Sequence, residues 1–162
     1  STQYSPNFGG VDAGDTICQA HANDAGFGGT FRAWLSDPTT SPAQRFVRDG
    51  GIYIRMDKQR IATDWADLTN GLSVAVGYTE KSTIPDVGTR HIFTGTTAAG
   101  NFMTVSGGNQ NTNCSNWTNA TAAFNGAWGQ CDAINTGAPS WTSNGPSACQ
   151  SLVGGRFYCF EQ

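Results

Sequence analysis

Apolar residues in this chain come in short bursts separated by glycine and small polar residues, and one burst has a helical period. Within Gly9 to Asp37, Val11, Cys18, Ala22 and Ala25 recur at the spacing of one helix face, a narrow face of small side chains. Asp12 is placed to cap the start of that helix by accepting a backbone N–H. Gly26, Gly28 and Gly29 stop it, and Thr30 to Leu35 continue as a half-buried strand that delivers Trp34. A helix so rich in alanine and glycine is expected to approach its sheet closely.

The remaining pattern is shorter and weaker. After the turn at Pro38 to Pro42, Ser41 and Pro42 read as cap and first position of a helix to Val47, stopped by Asp49, Gly50 and Gly51. Ile52 to Arg55 alternate as a short strand, Ile61 to Leu68 carries Trp65, Asn70 and Gly71 turn the chain, and Leu72 to Val76 suggests a further short strand. Gly88 to Thr96 reads as a central strand, with Ile92 on one face and His91 and Phe93 on the other. From Thr97 to Pro146 periodicity disappears into glycine, asparagine, threonine and serine. The spaced Trp117, Phe124, Trp128 and Trp141 still argue for a packed, loop-rich segment. In the closing stretch Phe157, Cys159 and Glu161 face one way and Tyr158 and Phe160 the other, predicting a buried last strand.

Composition narrows the class. A length of 162 residues suits one core, so residues 1–162 are read as one domain. Charged residues make up 13%, about half the usual share, and glycine contributes 21 positions, which favours turns and ordered loops over long surface helices. A net charge of -3 with no basic block argues against nucleic acid and anionic membranes as partners. No apolar run is long enough to span a bilayer, and the first residues lack a charged-then-apolar signal pattern, so the chain is expected to be soluble. Five cysteines without a close pair point to disulfides in an oxidising compartment, with one thiol left over and the pairing open.

Four blocks carry a resemblance to a known family: the stretch from Gly10 to Asp37, the Asp64 to Leu68 block, His91 to Thr96 followed by Cys114 to Thr118, and Ser147 to Glu161. In order and spacing they resemble endostatin, the C-terminal domain of certain collagens, and the bacterial, including leptospiral, endostatin-like surface proteins. The match is weak over 38 to 60 and 119 to 145. The resemblance implies an α+β, C-type-lectin-like fold: two helices flanking small, mostly antiparallel sheets with long ordered loops. It also implies two disulfides, Cys18 with Cys159 and Cys114 with Cys149, leaving Cys131 as the free thiol.

Candidate chemistry is sparse. His21 and His91 sit in no nucleophile motif and are read as hydrogen-bonded or solvent-facing side chains. The pairs Asp12 with Asp15 and Asp64 with Asp67 are explained by helix N-termini, so no enzyme is expected. The zinc site of endostatins uses N-terminal histidines, and none precedes His21. Ile84-Pro85-Asp86 only partly echoes the calcium-dependent sugar loop of C-type lectins, so no cofactor is expected and calcium remains the minor alternative.

Binding is the expected role. Arg45, Arg48 and Arg60, with Arg55 and Lys58 among them, are the candidate glycosaminoglycan contacts, although Asp49 and Asp57 dilute them. Trp117, Trp128, Trp141 and Asn116 are the candidate contacts of the loop face, able to stack on sugars or anchor a protein interface. Asn113, Asn116 and Asn119 each fall in an N-x-S/T pattern. The reading is an extracellular or cell-surface, adhesin-like module for a host or matrix macromolecule. Its alternatives are a carbohydrate-binding module and a subunit of a surface filament that self-associates through Cys131 or the loops.

Overall fold

The computed structural model describes residues 2–48, 51–85, 90–105, 112–137 and 140–162. Its one long helix, α1, runs Val11–Asp24. Gly10, at φ 104°, takes the cap position without any side-chain cap bond, so Asp12 lies in the first turn instead of capping it. The small-residue face does bring the helix close. A β-carbon added at Gly14 would touch Ala33 and overlap the end of the buried Leu35 side chain, so the glycine lets α1 lie against β1 without displacing Leu35.

Strand β1, Phe31–Ala33, follows and is shorter than the expected Thr30 to Leu35. It pairs antiparallel with the last strand, β7, Cys159–Glu161, in the register Phe31↔Glu161 and Ala33↔Cys159. The bridge Cys18–Cys159 ties α1 to the same strand across 141 residues of chain. Helix α2, Pro42–Arg45, is one turn long and ends two residues before the expected Val47. Its expected stop at Asp49 and Gly50 lies outside the described residues, as do Gly88 and Thr89 at the start of the strand read there.

Strands β2, Tyr53–Ile54, and β3, Arg60–Ala62, form a two-stranded antiparallel hairpin with a register shift between Tyr53 and Ile54. The run read as one segment from Ile61 to Leu68 therefore divides into β3 and a helix, α3, Trp65–Asn70. The division is made by capping: Asp64 accepts from the Asp67 N–H while Asp67 accepts from the Thr63 N–H. Leu72 to Val76 is irregular rather than a strand, because its backbone is spent on single contacts such as Leu72 N–H to the Ile134 carbonyl.

Strand β4, His91–Phe93, β5, Asn125–Gln130, and β6, Pro146–Ala148, make the three-stranded antiparallel sheet in that order. The central position belongs to β5, inside the stretch read as loop-rich, and β4, read as a central strand, lies at the edge of this sheet. The β5 sequence, Asn-Gly-Ala-Trp-Gly-Gln, hides a strand because its glycines are there for close approach. A β-carbon at Gly129 would run into the Trp141 carbonyl, and one at Gly126 would crowd the Cys114 sulfur.

Between β4 and β5 the chain makes a left-handed turn at Cys114–Trp117, with φ of 49°, 57°, 56° and 59° at four successive non-glycine residues. Each such residue costs about 1–2 kcal/mol. The turn is held by the Cys114–Cys149 bridge, by the Asn113 side chain accepting from Asn116 N–H, and by the Trp117 indole donating to the Ser36 carbonyl at 3.0 Å. A 3-10 helix, Cys149–Leu152, then leads into β7.

Two apolar clusters result. One gathers Val11, Cys18, Ala33, Leu35, Phe93, Trp117 and both Cys114 and Cys149. The other gathers Trp34, Phe46, Ile61, Ile92, Cys131, Trp141, Tyr158 and Phe160. The alternation expected in the sequence divides them: Ile92 and Phe93 point to different clusters, as do Trp34 and Leu35. The molecule is thus mixed helix and strand, with short helices, small antiparallel sheets and two disulfides. No helix among the described residues is long and apolar enough to cross a membrane.

Closing a loop of 141 residues restricts the unfolded chain more than closing one of 35. Replacing Cys18 and Cys159 together by serine is expected to lower stability by about 5 kcal/mol, and replacing Cys114 and Cys149 by about 4 kcal/mol. Urea unfolding of the two double variants against the intact protein measures both, and no loss in the first would contradict the stapling of the ends.

Candidate functional site

The tryptophans expected to meet a ligand lie mostly inside. Trp117 and Trp141 are both 0% exposed, and Tyr158 Oη donates to the Trp141 carbonyl at 2.8 Å. Neither indole can stack on a sugar ring from solvent, because each is a core anchor. Trp128 is half-buried with its ring set edge-on to His91 at 4.6 Å. Asn116 is exposed on the left-handed turn, Asn113 is only 2% exposed and so closed to glycosylation in the folded chain, and Asn119 accepts from Thr121.

The arginines also separate. Arg45 is half-buried and structural. It pairs with Asp15 of α1 and donates to the Ala33 carbonyl of β1, which removes it from a glycosaminoglycan patch. Arg55 is held by Asp57 at 2.6 Å, by the Ala75 carbonyl and by stacking over the Tyr78 ring at 4.2 Å. That contact holds the Asp57 carboxyl below its ordinary range and the Arg55 guanidinium above its own. Arg48 is exposed and reaches over Trp65 at 5.4 Å, and Arg60 is exposed at the start of β3.

What the structure adds is a groove of about 870 Å³, a volume in the range of ligand sites, lying along β7. One wall is the end of α1, with His21 and Ala22, continued by Phe27. Another part of the lining is the first hairpin strand with its flanks, where Ile52 is 62%, Ile54 53% and, in the turn, Met56 37% exposed. Ile92, Cys131 and Tyr158 form part of the floor, and Val76 to Glu80 close one side. Three aliphatic or thioether side chains so exposed within five positions leave apolar surface facing the groove.

The sequence reading missed this face, although its signal was present. Ile52, Ile54 and Met56 recur at every second position. The alternation over Ile52 to Arg55 leaves open which face is buried, and Tyr53, whose ring meets Phe160 at 5.9 Å, is the residue turned inward.

Polar and charged side chains also line the groove, among them Tyr4, His21, Arg55, Lys58, Glu80 and Glu161. Tyr4 Oη and His21 Nε2 are joined by a 2.8 Å hydrogen bond, and His21 Nδ1 faces a Glu80 carboxylate oxygen at 3.8 Å. Burial pushes the Tyr4 hydroxyl up, the opposite of what would make it a nucleophile. Burial likewise pushes up the thiol of Cys131, which is 3% exposed, so this sulfur is held as a neutral thiol and not as a reactive thiolate. Among the described residues no three His, Cys, Asp or Glu side chains converge as a metal site. Asp86 of the lectin-like echo lies outside the described residues.

No family model matches the chain, and no curated protein matches it.

Cys131, Tyr4, Tyr53 and Tyr158 all have their proton affinity raised by burial. Each keeps its proton in the folded chain at a pH where the unfolded chain has released it. The unfolded state then binds fewer protons, and stability falls as pH rises. Stability is expected to be level up to about pH 8.5 and to decline above it, most steeply past about pH 10 where unfolded tyrosines ionise. Urea midpoints from pH 7 to 11 measure this, and a level profile would contradict the burial of these groups.

Proposed function

We propose that the chain is a non-enzymatic, extracellular binding module of C-type-lectin-like, endostatin-like fold that recognises a macromolecule. The observation that carries the reading is the groove lined by the end of α1 and by the hairpin, where exposed aliphatic residues stand among polar and charged ones. Such a surface gains affinity by burying apolar area, at about 25 cal/mol for each Å² removed from water. The fold assignment draws support from the pairing of the first strand with the last, from the two bridges and from the four motif blocks in order.

Extracellular placement accords with two disulfides in a chain of this size. The non-enzymatic reading is supported by the state of the sulfur and hydroxyl groups in the groove, which burial makes less nucleophilic. A protein surface is favoured over a glycan, because Trp117 and Trp141 are spent on the core and the groove wall is aliphatic. It is favoured over a heparin-like polyanion, because Arg45 and Arg55 are committed to Asp15 and Asp57.

The binding face therefore moves from the Thr97 to Pro146 loops to the β7 groove. Surface plasmon resonance against purified matrix glycoproteins and complement regulators, alongside a glycan array, tests it. Binding to a protein of the panel is expected to weaken at least about tenfold in Ile54→Asp, to survive Trp128→Ala, and to persist with chelator. Glycan binding abolished by chelator, or protein binding untouched by Ile54→Asp, would overturn the reading.

A further inference from the structure

The two edges of the β1–β7 sheet are treated differently. Trp34 N–H donates to the Tyr158 carbonyl and Gln162 N–H to the Thr30 carbonyl, so residues 158, 160 and 162 bond across to β1. By the alternation of an antiparallel pair, the backbone groups of Phe31 and Ala33 point off one edge and those of Cys159 and Glu161 off the other. The first edge is closed by side chains. Gln19 accepts from Phe31 N–H at 2.8 Å, Asp15 accepts from Ala33 N–H at 2.8 Å, and Arg45 donates to the Ala33 carbonyl. On the second edge the Glu161 carbonyl receives only the Gln162 side chain at 3.2 Å, and the described residues supply no partner for either N–H or for the Cys159 carbonyl. Cys159 and Glu161 are exposed, and both line the groove.

Resting on the reading of this groove as the binding face, we propose that its occupant is an extended peptide segment of a protein partner, added to β7 as a further strand. The chemistry of the edge selects a backbone. Successive outward groups on a strand recur every two residues and present donor and acceptor together, which another extended chain matches. A hydrocarbon chain seated there would bury those groups without hydrogen bonds, at a cost of about 1–3 kcal/mol for each. Ile52 and Ile54, exposed on the hairpin side of the groove, would meet apolar side chains of the segment. Charge agrees with a mixed-sequence peptide rather than a polyanion: Arg55, Lys58 and Arg156 line the groove together with Glu80 and Glu161, and Arg55 is itself paired with Asp57.

A displayed library of random twelve-residue peptides, selected on the intact disulfide-bonded protein, tests the assignment. The enriched sequences are expected to alternate apolar and polar residues. N-methylation of the amides on one alternate set is expected to weaken binding at least about tenfold, while the other set tolerates it. Bound peptide is expected to slow hydrogen exchange at the Cys159 and Glu161 amides. Failure to enrich any peptide, equal tolerance of both N-methylated sets, or unchanged exchange at those two amides would overturn strand addition. If the peptides tolerate N-methylation yet lose affinity in Ile54→Asp, the groove remains the binding face and only the strand geometry falls. If Ile54→Asp leaves affinity unchanged, both readings fall. A concentration-dependent dimer dispersed by Ile54→Asp would identify a second copy of the chain as the occupant and overturn the peptide partner.

Discussion

The structure depends on closing the chain upon itself. Strand β1 near the start and β7 at the end are each three residues long, too short to hold a sheet by their ladder alone. Their pairing persists because the Cys18–Cys159 bridge removes most of the entropy of bringing the two ends together, and because α1, which carries Cys18, also bonds the outer edge of β1 through Asp15 and Gln19. Once β7 is fixed, Tyr158 and Phe160 form one side of the second cluster and Phe157 packs against the first. The last strand is the partition between two cores that neither a longer helix nor a larger sheet would otherwise define.

The second bridge answers a different need. Four successive residues in the left-handed region, none of them glycine, would not persist in an unbraced loop. The turn swings Trp117 inward, where its ring stacks on Phe8 at 5.4 Å and its N–H meets the Ser36 carbonyl. The strain is offset by burial of a whole indole, one of the largest apolar contributions a single side chain can make. Cys114, at the start of the turn, is tied to Cys149 directly after β6, so both bridges anchor the last part of the chain.

Local features were readable in the sequence, and features set by contact across the chain were not. The period of α1, its small-residue approach, the capping aspartates around α3 and the alternation of Tyr158 and Phe160 all act within a few residues, and all are seen. Strand β5 escaped because Gly126 and Gly129, which signal a loop in isolation, are required by the Cys114 sulfur and the Trp141 carbonyl brought in from elsewhere. The left-handed turn escaped for the same reason, since nothing local in Cys-Ser-Asn-Trp favours positive φ at every residue. The roles assigned to Trp117, Trp141 and Arg45 failed on burial: an aromatic or an arginine in a polar loop looks available until its distant partners, Ser36, Tyr158 and Asp15, are in place.

The groove follows from the same closure. Because β1 is the strand that α1 covers, β7 is left with an outer edge, and an edge in a folded protein must be closed, protected or used. Proline and a bulge are absent here, since Cys159–Glu161 pairs in unbroken register, and what blunts this edge is its three-residue length and the charge of Glu161. The hairpin across the groove is irregular, with its shift between Tyr53 and Ile54, and that irregularity lets Tyr53 meet Phe160 in the core while Ile52 and Ile54 stay out. Apolar side chains turned outward beside open backbone groups are a costly combination for water to cover, because the first gains nothing from hydration and the second requires it. An incoming strand would satisfy both at once, which is the physical ground for proposing recognition at this end of the molecule rather than on its polar loops.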